Sequence, residues 1–260
     1  MDLTSPMPLL GGRSVAHFMR HHWQRKPLLV RQAWPDLRAP LTRSELFALA
    51  ARDGVESRLV SRSGDAWSVR HGPLPRRALP PLRRRGWTLL VQGVDLHVDA
   101  AYELMRAFRF VPDARLDDLM ISFASDGGGV GAHVDAYDVF LLQLEGQRRW
   151  RVGPAKDRRF VEDAPLKMLR GFEPAHEWLL EPGDMLYLPP QWGHDGAAAA
   201  RGPAPGAAAV RPPAPCAPAP GSRSSRSCIH PRRRRRGPTA AAGTACRPAR
   251  AAIPRAVRSA

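Results

Sequence analysis

The sequence predicts a mainly β domain with flanking helices (α+β), its strands forming an antiparallel barrel or jelly roll. Beyond Leu116, short segments rich in β-branched and aromatic residues recur at close intervals, divided by glycine and proline turns. Ahead of Leu116, apolar residues recur instead at helical spacing in several stretches. Many short antiparallel strands need their edges hidden, and closure does that.

The elements follow in order. Val15, Phe18, Met19 and Trp23 give residues 14–23 an amphipathic helical pattern, ended by Lys26-Pro27 because proline lacks an amide and restricts its predecessor. Residues 28–30 read as a short strand. Thr42 or Ser44 caps a second helix through Leu46, Leu49 and Ala50. Residues 58–60, 66–70 and 87–92 read as strands between Gly, Pro and Ser punctuation. Residues 99–108 return to helical spacing. Strands are then expected at 119–124, 133–144, 148–152, 178–180 and 185–188.

Charge separates the chain into unlike parts. The 260 residues carry 40 Lys+Arg against 24 Asp+Glu, a net of +16. Residues 197–260 hold 13 Arg, no acid, no aromatic residue and all three cysteines, whereas residues 1–196 hold 27 basic and 24 acidic groups. With 20 Ala, 11 Pro and 13 Arg among its 64 residues, the tail has little to bury against a backbone ordering cost of about 1–2 kcal/mol per residue. Disorder is expected there. The abrupt change of composition points to a shifted reading frame. RNA binding by 232–236 is a weaker reading of the same run. The expected organisation is 1–95 as helices and strands packing on the barrel, 96–197 as the barrel, and 198–260 as the tail.

Several classes drop out. No stretch reaches the roughly 20 apolar residues of a spanning helix, and the N-terminus lacks the pattern of a signal peptide. No cysteine precedes position 216, so a disulfide framework or thiolate site is not expected in the folded part. A cytoplasmic location is the default.

The informative constellation is His133-Val134-Asp135 with His194. Residues two apart on a strand share a face, so His133 and Asp135 can hold one ion, with His194 arriving from an adjacent strand. Two imidazoles and a carboxylate leave open positions of the kind that suit Fe(II) with a co-substrate and dioxygen. The chain carries a control in His97-Val98-Asp99, which opens a helix, where such residues diverge. In residues 148–152 alternation turns Arg148, Trp150 and Val152 inward and leaves Arg149 and Arg151 solvated. An inward arginine needs an anion, either a bound dicarboxylate or a structural partner in Asp138 or Glu145. Tyr137 and Asp138 follow the metal-binding segment and are candidates to touch substrate. Met120 and Ser122 face the same interior, Met120 with packing as its simpler role. Asp195, beside His194, is expected to face solvent. His17, His21 and His22 share a helix without a metal-site pattern.

These residues resemble a family. Leu119-Met120-Ile121-Ser122-Phe123-Ala124, the run from Gly128 to Gln143 that contains His133-Val134-Asp135, Arg148-Arg149-Trp150-Arg151, and Glu181-Pro182-Gly183-Asp184-Met185-Leu186-Tyr187-Leu188-Pro189-Pro190 are similar to the JmjC-type bacterial ribosomal oxygenases. Phe18-Met19-Arg20 through Lys26-Pro27-Leu28-Leu29-Val30-Arg31 fits as well, and the similarity covers about 8–197. The resemblance implies a double-stranded β-helix (cupin-like jelly roll). It implies Fe(II), 2-oxoglutarate and dioxygen, with an arginine side chain of a large-subunit ribosomal protein as the target. It also implies His133, Asp135 and His194 as the metal ligands and Arg148 as the grip on 2-oxoglutarate. After His194 the family continues with another barrel strand, helices that support dimerisation and a winged-helix-like domain. The Ala/Pro/Arg tail stands in their place, so a barrel incomplete at its C-terminal end is expected and a family-type homodimer is not. The alternatives are a truncated, inactive oxygenase remnant and a metal-binding cupin without oxygenase activity.

Overall fold

Two short strands, β1 (Pro6–Met7) and β2 (Arg13–Ser14), pair antiparallel and deliver Ser14, whose Oγ accepts the His17 amide at 3.1 Å and caps helix α1 (Val15–His21). The structure, a computed structural model, describes residues 3–199 and 207–211. Strand β3 (Leu28–Val30) follows Pro27. Helix α2 (Arg43–Ala50) opens with a capping box: Thr42 Oγ1 accepts the Glu45 amide at 3.3 Å, and Glu45 Oε2 accepts the Thr42 amide at 2.6 Å. Then come β4 (Ser57–Ser63), β5 (Ala66–His71), β6 (Trp87–Val91), α3 (Asp99–Arg106) and β7 (Asp118–Ala124). The remaining strands are β8 (Val139–Gln143), β9 (Arg148–Pro154), β10 (His176–Leu180), β11 (Met185–Leu188), β12 (Trp192–Ala198) and β13 (Ala207–Arg211).

Eight strands form one antiparallel sheet in the order β3-β11-β8-β13-β7-β6-β4-β5, and three form a second in the order β10-β9-β12. Alternation along each strand gives the large sheet two apolar faces. One carries Phe140, Leu142, Tyr187, Ile121, Phe123 and Val210 against the helices. There Phe18 of α1 meets Tyr187 at 4.9 Å between ring centroids, Phe108 meets Phe140 at 5.0 Å, and Phe47 of α2 meets Phe123 at 5.2 Å. Burying a side chain of this size contributes about 1.5–3 kcal/mol. The other face carries Val139, Leu141, Leu186 and Ala209, which pack with Trp150, Val152 and Leu180 of the small sheet. A jelly roll of two facing sheets results, and among the described residues no continuous ladder closes them into one barrel.

Three features differ from the sequence expectation. The helices cover the outer face as expected, but the N-terminal strands join the large sheet at both ends, and that sheet runs unbroken across the expected boundary at 95/96. Residues 133–144 are not one strand: His133 makes an isolated bridge to His194, the chain bends at Ala136 and Tyr137, and β8 starts at Val139. Finally, β13 falls within the expected tail. It pairs with β7 on one side and β8 on the other, with Ala209 and Val210 buried. The strand fills a slot flanked on both edges, which a compositional reading of an Ala/Pro/Arg stretch passes over. The rest of the expected tail, 200–206 and 212–260, lies outside the described residues.

Candidate metal centre

His133 and His194 exchange backbone hydrogen bonds, each amide donating to the other's carbonyl at 2.9 Å. Such a directly opposed pair places both side chains on one face, and the imidazole centroids lie 4.1 Å apart. Asp135 follows two residues on. Its carbonyl accepts the Gln191 amide at 2.8 Å, and its Oδ2 lies 3.5 Å from His194 Nε2. One ligand atom from each of the three residues falls within 4.8 Å of the others, and among the described residues no second such group of His, Cys, Asp and Glu occurs.

The ring orientations are set by the backbone. His133 Nδ1 lies 2.9 Å from the Gly131 carbonyl and His194 Nδ1 lies 3.0 Å from the Trp192 carbonyl. A carbonyl can only accept, so each Nδ1 carries the proton and each Nε2 is a lone-pair donor. Burial, followed by the neighbouring His194, pushes His133 down to about 4. Its imidazole is therefore neutral at pH 7, as a metal ligand must be. Two imidazoles and one carboxylate fit a divalent first-row cation with coordination positions left open.

Arg148 stands on the inner face of β9, two positions from Trp150, and is 7% exposed. Its Nε has no hydrogen-bond partner, and among the described residues no carboxylate lies within 4.0 Å of its guanidinium. The structural pairing with Asp138 or Glu145 is absent. Burial lowers Arg148 to about 10, which still leaves it protonated at neutral pH. Arg148 and the His/Asp/His group line one cavity of about 430 Å³, a size that suits a small molecule.

Met120, Ser122 and Tyr137 line that cavity. Asp138 does not, and its expected substrate contact is corrected: it is buried on the opposite side of the strand, where it accepts hydrogen bonds from the Tyr187 hydroxyl and, at 3.3 Å, from Gln24 Nε2. Burial raises the Asp138 carboxyl above the usual carboxylate range. Arg149 and Arg151 face solvent, Arg149 paired with Glu177 at 3.4 Å and Arg151 with Asp195; the Asp195 carboxylate is thus taken up by Arg151 and largely covered, not solvent-facing as expected. Asp99 opens α3, and His97 lies ahead of it. Arg58 and Thr88 also line the cavity and escaped the sequence reading. The alternation Arg58/Val60 was a usable signal, but it means something only once β4 is known to continue the barrel sheet.

Comparison with known proteins agrees with this geometry. Residues 103–209 match the JmjC domain model. The chain is 42% identical over 182 residues to the ribosomal protein uL16 3-hydroxylase of Escherichia coli (strain K12), an alignment that covers 70% of this chain and 48% of that protein. It is 37% identical over 186 residues to a probable ribosomal oxygenase of Haemophilus influenzae, covering 70% of this chain and 46% of the relative. Among solved structures, the X-ray structure of E. coli ycfD superposes with a TM-score of 0.72 at 40% identity, covering 77% of this chain and 53% of that one. A structure of YcfD, a ribosomal oxygenase from E. coli, in complex with cobalt and 2-oxoglutarate gives a TM-score of 0.68 at 39% identity, covering 77% and 52%. The chain spans about half the length of the curated relatives it matches. Sequence motifs, sheet order and site geometry thus converge: residues 103–209 form a JmjC domain, and over it the chain is similar to the ribosomal oxygenases.

Proposed function

We propose that the chain is an Fe(II)- and 2-oxoglutarate-dependent oxygenase that hydroxylates an arginine side chain of a large-subunit ribosomal protein in the cytoplasm. The observation that carries the reading is Arg148, a buried cation without a carboxylate, in the same cavity as the His/Asp/His group. A buried charge left unpaired costs several kcal/mol. A dicarboxylate with one end at the metal and the other at Arg148 removes that cost. The cobalt and 2-oxoglutarate complex of the E. coli relative supports the same pairing of ligands.

His133, Asp135 and His194 would hold the iron, and Arg148 the distal carboxylate through charge-assisted hydrogen bonds. Iron with 2-oxoglutarate and dioxygen supplies an oxidative decarboxylation coupled to hydroxylation of a carbon–hydrogen bond. The protein's own part is orientation and exclusion of water. The Gly131 and Trp192 carbonyls fix the imidazoles, Trp150 lies 5.9 Å from the His194 ring and floors the cavity, and Met120 and Tyr137 form walls that a target side chain would pass. The hydroxylase activity of the E. coli relative toward ribosomal protein uL16 supports the choice of target.

The test is succinate release from 2-oxoglutarate by the full chain, with and without Fe(II). Release is expected to require iron and to stop in Asp135→Ala. Normal turnover by that variant sinks the ligand assignment. Binding of Mn(II) or Ni(II) without any succinate release by the iron-loaded chain would favour a cupin that only binds metal.

A further inference from the structure

Around the β4–β5 hairpin and the loops beside it lie arginines that, Arg58 at the cavity apart, the oxygenase chemistry does not use. Residues 57–86 contain eight arginines and a single acid, Asp65, a net of +7. Since residues 1–196 sum to +3, the remainder of that region is at −4. The positive charge is therefore concentrated in one place. Two hydrogen bonds draw three arginine-bearing segments together. The Arg62 amide donates to the Gly86 carbonyl at 2.7 Å, which brings 83–86 onto β4, and Arg70 Nη1 donates to the Ala78 carbonyl at 3.1 Å, which holds the 76–78 turn against β5. β5 is the outermost strand of the large sheet. Arg70, Arg77, Arg83 and Arg84 are exposed, and among the described residues none has a carboxylate within 4.0 Å.

The Arg62 end of the strip shares the cavity face with Arg58 and Val60, whereas Arg70, opposite Leu59, stands on the helix-covered face. The Arg62 guanidinium lies 5.4 Å over the Trp67 ring, and that ring comes within 3.5 Å of where a side chain on Gly131 would begin, two residues before His133.

We propose that this strip binds the phosphate backbone of RNA and so holds an RNA-borne protein target over the cavity. Guanidinium forks match phosphate oxygens bidentately. The exposed arginines are spread along a strand edge and two loops, which fits a line of repeating charges better than a single acidic side chain. A strip of this sign repels a cationic peptide unless an anionic companion arrives with it. The choice of RNA over an acidic protein rests on the ribosomal reading above, whereas the strip itself does not.

The experiment is fluorescence anisotropy of the full chain with a labelled RNA hairpin across a range of KCl concentrations, repeated with Arg77→Gln/Arg83→Gln/Arg84→Gln. All three side chains are exposed, so an unchanged melting temperature is expected and checks the fold. Because residues 197–260 add 13 arginines, both chains are also measured with the arginines at 232–236 replaced by Gln. The slope of log affinity against log salt is expected to shrink by about 2 in the triple variant in either background, at about 0.7 per lost phosphate contact. Affinity at low salt is expected to fall by at least about tenfold, in line with three lost contacts. An unchanged slope overturns the inference, as does a starting chain that binds no RNA. Equal, strip-dependent binding of poly-glutamate also overturns it and reassigns the surface to an acidic protein. Succinate release measured without RNA should be the same in all four chains; its absence in the starting chain counts against the oxygenase reading and leaves the RNA result intact.

Discussion

Arg148 and His194 project from the same face of two adjacent strands, four residues apart in register: Arg148 lies opposite Ala198, and His194 opposite Val152. Four residues of extended strand span about 13 Å. A guanidinium reaching in from one end and a metal held at the other leave between them the length of a short diacid. The even spacing matters, because an odd one would turn one of the two side chains to solvent.

Replacing Arg148 tests the relationship with effects of opposite sign. Arg148→Met removes a buried charge that no carboxylate among the described residues neutralises and keeps most of the side-chain volume, so the ligand-free chain is expected to melt no lower than the parent. Affinity for 2-oxoglutarate is expected to fall by about 10–100-fold, since hydrogen bonds to charged groups are worth about 1.5–3 kcal/mol. Thermal shift with metal present checks both: the stabilisation that 2-oxoglutarate gives the parent should vanish. A marked loss of stability in the ligand-free variant would mean that Arg148 serves the fold instead.

Gly196 faces Trp150 across β12 and β9, and a methyl group there would begin 2.6 Å from the indole ring. Gly196→Ala therefore has to push the ring into the cavity, at an expected cost of about 1–3 kcal/mol. The same movement disturbs His194, 5.9 Å from that ring, and Arg148, whose guanidinium lies 5.9 Å from its centroid. Weaker binding of both Co(II) and 2-oxoglutarate is expected, measured by titration. Ala197→Ser, one residue on and facing the other way, is the control and should leave both affinities unchanged.

Much of this was legible in the sequence, and the limits have physical causes. Ser14 and Thr42 announce their helices because capping is local chemistry. Strand alternation placed Arg148, Trp150 and Val152 inward because the period of two survives without knowledge of the neighbours. His133, Asp135 and His194 were legible as a set of donor types, but their meeting depends on one bridge between residues 61 positions apart. Asp138 was misplaced because the chain bends at Ala136 and Tyr137, and a bend erases the phase that alternation carries. The strand Ala207–Arg211 was hidden for a different reason. Its residues are ordinary in composition, and only the slot between β7 and β8 makes them a strand.

Asp138 gives a pH prediction. Its carboxyl is raised by burial, so the folded chain binds its proton more tightly than the unfolded chain does. That contribution to stability is complete below the unfolded value of about 3.9 and is lost as pH rises through the folded value. Asp138→Asn keeps an acceptor for the Tyr187 hydroxyl but does not titrate. The stability of the parent minus that of the variant, from urea melts at stepped pH, is expected to decrease as pH rises across this window. A flat difference means that Asp138 is ionised alike in both states.

Val210 decides whether the final strand belongs to the fold. It is fully buried, opposite Phe140 on β8 and Leu119 on β7, within the cluster that α1 covers. Val210→Asp places a carboxylate there without a partner, at an expected cost of about 3 kcal/mol or more. The strand lies between the segment that leads to Met120 and the one that leads to Leu141, both on the cavity wall, so its loss should also weaken 2-oxoglutarate binding. Val210→Ile is expected to cost under about 1.5 kcal/mol and to keep binding, since it changes volume without adding charge. Hydrogen exchange supplies the independent readout: the amides of β7 and β8 that face β13 should be protected in the parent and exchange rapidly in the aspartate variant. Equal stability and equal protection in the two chains would remove Ala207–Arg211 from the sheet and leave β7 and β8 with open edges.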